Sequence, residues 1–385
     1  MQKEVRIALI DHSYFPVYQE TFAGIQRELA GEKGVRVLLC QNRETLEKSL
    51  QGFEGDGVLG SMVFADAPAV IQKKKLKAVS ILRTGYLQNC PCVTTDQTGS
   101  GMRIAEHFIE RGHTRIGFFS AGDQTYSPRY EQGVREACRA ADVTFSEFTI
   151  GRRTEKRGTW QMEDQRADFL DWLKEQKPTA LATADEEHAR RAVEICKLAG
   201  IRIPEDLAIC SCLGNPLTCD FYDPPLSAMH GDMPSVGATA FRLLLNWIRN
   251  PRDLPPKETI LEEGELRIRR SSDLHAVKDP AIRKVLTFID HHLEDNPGVE
   301  ELSGICGMSR RTLERRFEEK LGYTPAKAVR HAREKTAKSL LLYSDLPFQE
   351  IAFRCGLHHA SQLSRLTREA FGKTPGDLRN SSGDR

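Results

Sequence analysis

The chain has 385 residues, too many for one ordinary domain, so two or three are expected. Its formal charge is only +1, from 55 Lys and Arg against 54 Asp and Glu, which excludes a protein strongly basic or acidic throughout. No signal peptide precedes Val5 and no apolar run nears membrane-spanning length, so a cytoplasmic protein without a membrane anchor is expected.

Residues 5–10 (VRIALI) are continuously apolar, which predicts a strand buried on both faces. A helix over 18–30, a strand over 35–39, a helix near 43–50 and short apolar runs at 57–62 and 78–82 follow. Alternating strands and helices predict a parallel sheet covered by helices, in which ligands sit at the carboxyl ends of strands. Asp11 and Ser13 stand at such an end, and an ionised Asp11 suits a ligand rich in hydroxyls; capping a helix is its other reading. Residues 91–122 then read as one β-α-β unit, with Asp96 closing the strand and a Gly/Ser/Thr loop leading into the helix. Residues 179–183 and 207–212 are further short strands, followed by Asp185 and by Gly214-Asn215.

The ten cysteines are scattered. Cys90-Pro-Cys92 and Cys210-Ser-Cys212 are too closely spaced for a usual zinc ribbon, so buried thiols, no metal and no cofactor are expected. A polar connector at 273–280 separates the α/β region, 1–272, from a tail, 281–385. From Pro280 onward 18 Lys and Arg face 14 Asp and Glu, so the positive charge gathers in the tail.

In the tail, Val299, Leu302 and Ile305 predict a short helix, Cys306-Gly307-Met308 a tight turn, and SRRTLERRFEEKL (309–321) a cationic helix capped by Ser309. Leu313 and Phe317 give that helix one apolar face. Helix, glycine turn and cationic helix are the parts of a helix-turn-helix, whose second helix enters the DNA major groove. The pattern recurs: Cys306-Gly307 returns as Cys355-Gly356, and Gly322-Tyr323-Thr324-Pro325 as Gly372-Lys373-Thr374-Pro375. Between the units, Thr324-Pro325 opens a long helix with apolar positions Val329, Ala332, Thr336 and Leu340.

Two such units joined by one helix resemble the DNA-binding domain of the AraC/XylS regulators. The resemblance places base-facing positions at Arg310, Arg311, Glu314 and Arg315 in the first unit, and at Ser361, Gln362 and Arg365 in the second. Arg suits guanine, Glu cytosine and Gln adenine. Thr367 and Leu363 stand where that family has aromatic core residues, which implies looser packing of the second unit or a different seat in its groove.

Upstream, Asp96-Gln97, Ser100-Gly101, His107-Phe108 and Gly112-His113-Thr114-Arg115-Ile116 match in order and interval the effector-binding domain of LacI/GalR regulators. Pro224-Pro225-Leu226-Ser227 and the Arg270-Ser271-Ser272 ending continue the match. The fold class implied is an α/β two-lobed periplasmic-binding-protein-like sensor with parallel sheets, followed by an all-α double helix-turn-helix domain. The pairing is similar to XylR-like regulators. It implies a sequence-specific transcription regulator, an activator, that binds double-stranded DNA and a small sugar-like effector, pairs as a homodimer through the sensor and contacts RNA polymerase.

The same resemblance implies effector contacts at Asp11, Ser13, Phe15, Asp96, Arg129 or Tyr130, Asp185 and Asn215. Gly214 occupies the position of a family acidic residue, and Arg129 is displaced by one from the family arginine, so a ligand-blind sensor is the alternative. An alkyltransferase fused to such a tail would need a Pro-Cys-His-Arg motif, where this chain has Pro91-Cys92-Val93-Thr94.

Overall fold

Alternation of short apolar strands with amphipathic helices is realised as two six-stranded sheets. The structure, a computed structural model, describes residues 4–11, 16–41, 44–62, 64–82, 90–121, 127–150, 162–275, 277 and 279–380. They fall into two units, Met1–Asp273 and Leu274–Arg385.

The first unit opens with β1 (Val5–Asp11), α1 (Pro16–Ala30), β2 (Val35–Gln41), α2 (Leu46–Ser49), β3 (Gly57–Gly60), α3 (Ala67–Lys74), β4 (Lys77–Ile81) and β5 (Cys92–Thr95). It continues with α4 (Gln97–Glu110), β6 (Arg115–Ala121), α5 (Ser127–Ala140), β7 (Thr144–Ile150), α6 (Met162–Gln176), β8 (Ala180–Thr183) and α7 (Glu186–Leu198). β9 (Ala208–Ser211), β10 (Ser227–His230), α8 (Met233–Arg249), β11 (Glu258–Leu261) and β12 (Glu265–Arg267) complete it. The first lobe holds the sheet β11-β5-β4-β3-β1-β2, parallel throughout. The second holds β12-β10-β9-β8-β6-β7, parallel except that β12 runs against β10. Every residue of β3, β5, β8, β9 and β10 is buried, as continuous apolar runs covered on both faces require.

The chain crosses between the lobes three times: from β5 into α4, from β10 into α8, and from β11 into β12. The crossings run side by side. Asp96 N donates to Leu261 O at 2.8 Å, and Arg103 Nη1 donates to Gly264 O at 2.7 Å. Gly264, at φ +86°, is pressed so close that a Cβ there would lie 2.3 Å from His230 O.

The sequence motif around 96–116 explains itself in this frame. α4 crosses α5 at glycines: a Cβ on Gly101 would lie 2.1 Å from Tyr130 O, and one on Gly133 2.0 Å from Thr98 O. His107, four residues before Arg111, accepts at Nδ1 from Arg111 Nη1 (2.9 Å) and so carries its proton on Nε2, which donates to Ser272 Oγ at 2.9 Å. Arg111 Nη2 donates to Asp273 Oδ1 at 2.9 Å, and Ser271 Oγ donates to Ile209 O at 2.7 Å. The Arg-Ser-Ser ending is thus fastened to the second lobe.

The second unit is α9 (Pro280–His291), α10 (Val299–Ile305), α11 (Arg310–Leu321), α12 (Pro325–Tyr343), α13 (Phe348–Arg354), α14 (Ala360–Phe371) and α15 (Pro375–Asn380). Ser309 Oγ accepts from Thr312 N and Thr324 Oγ1 from Lys327 N, the caps read from sequence. α12 serves two cores. Val329 packs with Ile282, Val285, Leu302, Leu313 and Phe317; Ala337 and Leu341 pack with Ile351, Cys355 and Leu363. Thr367 is fully buried and its Oγ1 donates to Ser364 O at 3.2 Å, so the smaller residue leaves no unmet hydroxyl in the second core.

Gly101→Ala forces backbone away from backbone at the α4–α5 crossing. Urea unfolding of the sensor should show a loss of about 1–3 kcal/mol, with Gly31→Ala, where a Cβ would meet only Glu28 O at an ordinary 3.6 Å, as the control for simple glycine replacement.

Candidate effector cleft and nucleic-acid interface

Parallel pairing puts the carboxyl ends of all strands in a sheet on one edge. β5 and β10 reach the crossings at those ends, so the two carboxyl edges face each other across the hinge and enclose the candidate cleft.

Asp11 is the last residue of β1, in register with Gln41 of β2. Ser13 and Phe15 lie outside the described residues. Asp96 caps α4, accepting from Gly99 N at 2.9 Å. Asp185 caps α7, accepting from His188 N at 3.0 Å and lying 2.6 Å from His188 Nδ1. Both carboxylates therefore answer otherwise unpaired amides at a helix start. Tyr130 is 1 % exposed and packs with Phe108 and Val134, which makes it core rather than cleft wall. Arg129 makes two 3.0 Å bonds to the Glu258 carboxylate, from α5 of the second lobe to β11 of the first.

Asn215 is 2 % exposed and bonded on three sides. Its N donates to Glu186 Oε2 (2.8 Å), its Oδ1 accepts from Leu217 N (2.7 Å), and its Nδ2 donates across the cleft to Glu20 Oε1 of α1 (2.9 Å). Glu186, which sequence reasoning missed, also accepts from Thr218 Oγ1 and from the Tyr222 hydroxyl, fixing the whole loop after β9. Burial, then the Asp232 carboxylate, raises the Glu20 carboxyl above its ordinary range, with Arg267 opposing. Gly214 leaves no room for an acidic residue: a Cβ there would lie 2.5 Å from Ala228 Cβ and 2.9 Å from Cys219 Sγ.

Two further polar atoms at these edges were not singled out from sequence. Gln97 Oε1, one residue after Asp96, and Ser127 Oγ, at the start of α5, are buried without a hydrogen-bond partner among the described residues. Buried polar atoms of that kind call for a partner, and a bound hydroxyl would supply one. Only their place beside strand ends marks them, a signal weaker than a charge. Burial pushes the Cys196 and Cys355 thiols up to about 12, which disfavours their thiolates.

On the tail, equivalent residues of the two reading helices have equivalent settings. Arg315 and Arg365 are both exposed, and each leans on a glutamate four residues on, Glu319 at 2.6 Å and Glu369 at 4.0 Å. Arg311 is exposed, with no ion-pair partner among the described residues, and Ser361 is exposed at the matching position. Arg310 is held by Glu314 (2.9 Å) and Glu300 (2.7 Å), so two of the expected base readers are engaged with each other. Gln362 is engaged too. Its Oε1 accepts from His358 N (2.7 Å) and His359 N (3.2 Å), closing a capping box on α14. The bidentate reading of adenine expected of Gln362 needs that same oxygen.

A periplasmic binding protein-like domain model matches residues 105–272, and a helix-turn-helix domain model matches 302–381. The xylose operon regulatory protein of Escherichia coli (strain K12) is 25 % identical over 278 residues, covering 71 % of this chain and 70 % of that protein. The HTH-type transcriptional activator RhaS of Escherichia coli O1:K1 / APEC is 30 % identical over 132 residues, 33 % of this chain and 48 % of RhaS. A solved structure described as the xylose-binding transcription activator xylR superposes with a TM-score of 0.60 at 20 % identity, covering 99 % of both chains. The domains matched are sensor and DNA-binding modules, and the enzyme alternative is set aside. No helix among the described residues is long and apolar enough to cross a membrane.

Gln362→Ala removes the acceptor for two amides and should lower the stability of the tail by about 0.5–2 kcal/mol, while Gln362→Glu, which keeps an acceptor, should leave it near wild type. Thermal unfolding of residues 280–385 is the measurement. Equal stability of wild type and Gln362→Ala would remove the capping role and return Gln362 to base reading.

Proposed function

We propose that this transcription regulator, a periplasmic binding protein-like sensor followed by an AraC-type helix-turn-helix domain, takes a small sugar of pentose size between its lobes and reads DNA chiefly through Arg311, Arg315, Ser361 and Arg365. The observation that carries the sugar reading is the pair of facing carboxyl edges, with Gln97 Oε1 after β5 and Ser127 Oγ after β6 buried and without a hydrogen-bond partner among the described residues. A ligand with several hydroxyls answers such atoms as no apolar ligand can. The relatives named for xylose support a pentose as the first candidate. The regulator works in the cytosol as an activator that contacts RNA polymerase. Sugar binding shifts its DNA-competent population by the difference in sugar affinity between the two lobe arrangements.

Two observations favour a second reading, a sensor without a ligand. Gly214 cannot carry the expected acidic group, and Arg129 is tied to Glu258. Calorimetry of the full chain with D-xylose, L-arabinose, D-ribose and L-rhamnose separates the two. Saturable binding of one pentose, lost in Asp11→Ala with unchanged thermal stability in the absence of sugar, is the expected result. No heat and no thermal shift with any of the four would establish the ligand-blind reading.

Two tails on one molecule pair would read a longer site than one tail can, and the sensor provides the surface for pairing. Large apolar side chains stand exposed on it, Leu217 at 71 % and Phe221 at 88 % among them. Sedimentation at micromolar concentration should find residues 1–273 dimeric and residues 280–385 monomeric. A monomeric sensor with and without sugar would rule the arrangement out.

A further inference from the structure

We infer that Glu20 and Asn215 form a latch that sets the angle between the two sensor lobes in the absence of any effector. The pair spans the cleft: Glu20 lies on α1 of the first lobe, Asn215 on the loop after β9 of the second, and Asn215 Nδ2 donates to Glu20 Oε1 at 2.9 Å.

Each half is held rigidly by its own lobe. Asn215 has its backbone N on Glu186 and its Oδ1 on Leu217 N, so the side-chain amide cannot turn and Nδ2 is left aimed at the first lobe. Glu186 is in turn fastened to Thr218 and Tyr222. Glu20 rides on α1, which lies so close to α8 that a Cβ on Gly24 would sit 1.8 Å from Pro234 O. Thr21 and Ile25, the next residues on that face, are fully or almost fully buried. Neither partner can follow the other if the lobes rotate. Separation by little more than about half an ångström carries the pair past about 3.5 Å, where a hydrogen bond is lost.

The bond is made by a carboxyl group in a partly buried site, where a hydrogen bond counts for more than in water. The second polar bridge between the lobes, Arg129 to Glu258, starts instead from the first residue of β11, which pairs with Cys92 at the far end of β5 from the crossing. The two bridges hold the lobes at separate points, and among the described residues only Glu20–Asn215 sits at the carboxyl edges. Asn215 thus serves the resting state with the same amide that the sequence resemblance assigns to the effector, and any effector using that amide displaces Glu20.

The test needs no effector and so does not depend on the sugar reading. Spin labels on encoded non-natural residues replace Lys73 in the first lobe and Lys174 in the second, both exposed, in the full chain. Pulsed dipolar spectroscopy then gives the distribution of distances between the lobes without sugar. Asn215→Asp, isosteric and still an acceptor for Leu217 N, sets carboxylate against carboxylate and should move at least about tenfold of the population ratio away from the wild-type distance, the scale of a charge-assisted hydrogen bond. Glu20→Ala should move it in the same direction. Adding Glu20→Gln to Asn215→Asp restores an amide–carboxylate pair with the roles exchanged and should restore the wild-type distribution. Glu20→Ala and Asn215→Asp both matching wild type would overturn the inference. A charge swap that leaves the Asn215→Asp distribution uncorrected would overturn it too, by confining the effect of Asn215 to its own lobe.

Discussion

Three neighbouring strands of backbone, at Asp96, at Gly231–Asp232 and at Glu262–Gly264, carry the whole covalent connection between the lobes. Parallel sheets can be joined in this way only at their carboxyl ends, where β5, β10 and β11 stop. Everything functional about the sensor follows from that constraint. It turns the two carboxyl edges toward each other and makes a cleft without any dedicated cavity. The crossings lie close together there, with Gly264 against His230 O and Asp96 N bonded to Leu261 O. Polar side chains join the lobes beyond the crossings, Glu20 with Asn215 at the carboxyl edges and Arg129 with Glu258 away from them.

The architecture was legible because strands buried on both faces must be apolar throughout, and helix starts must carry caps. The strand over 5–10, the β-α-β unit around Asp96, and the caps Ser309 and Thr324 follow from those two rules. The cleft was far less legible. Asp96 and Asp185 stand where ligand carboxylates are expected, yet each accepts from the amide three residues on, and the same residue type serves both purposes. Tyr130 lies in the core because α5 presents the face carrying Gly133 to α4, which a one-residue comparison with Arg129 does not reveal. Glu20 was invisible for a different reason: it sits mid-helix, and only tertiary structure brings it to Asn215, 195 residues away.

The tail shows the same division. Repeated Cys-Gly turns and Gly-x-Thr-Pro endings predicted two helix-turn-helix units, and each recurs as a glycine at positive φ and a capped helix. Which side chains are free to read bases depends on hydrogen bonds that spacing does not encode. Arg310 is paired with Glu300 and Glu314, Arg315 with Glu319, and Gln362 closes a capping box, while Arg311, Ser361 and Arg365 are exposed. Thr367, in place of an aromatic, is buried with its hydroxyl bonded within its own helix, beside a core that contains Leu363 and Leu366.

The central claim is that occupancy of the cleft and reading of DNA are one linked equilibrium in this chain. Linkage is reciprocal: if sugar changes DNA affinity by some factor, DNA must change sugar affinity by the same factor. The direct measurement is therefore a thermodynamic box on the full chain, with a duplex selected from random sequence and the pentose that binds best. DNA affinity is taken at zero and saturating sugar, and sugar affinity at zero and saturating DNA. The account predicts two equal factors within the usual range for coupled sites, about 5- to 150-fold. DNA affinity identical with and without bound sugar would contradict it.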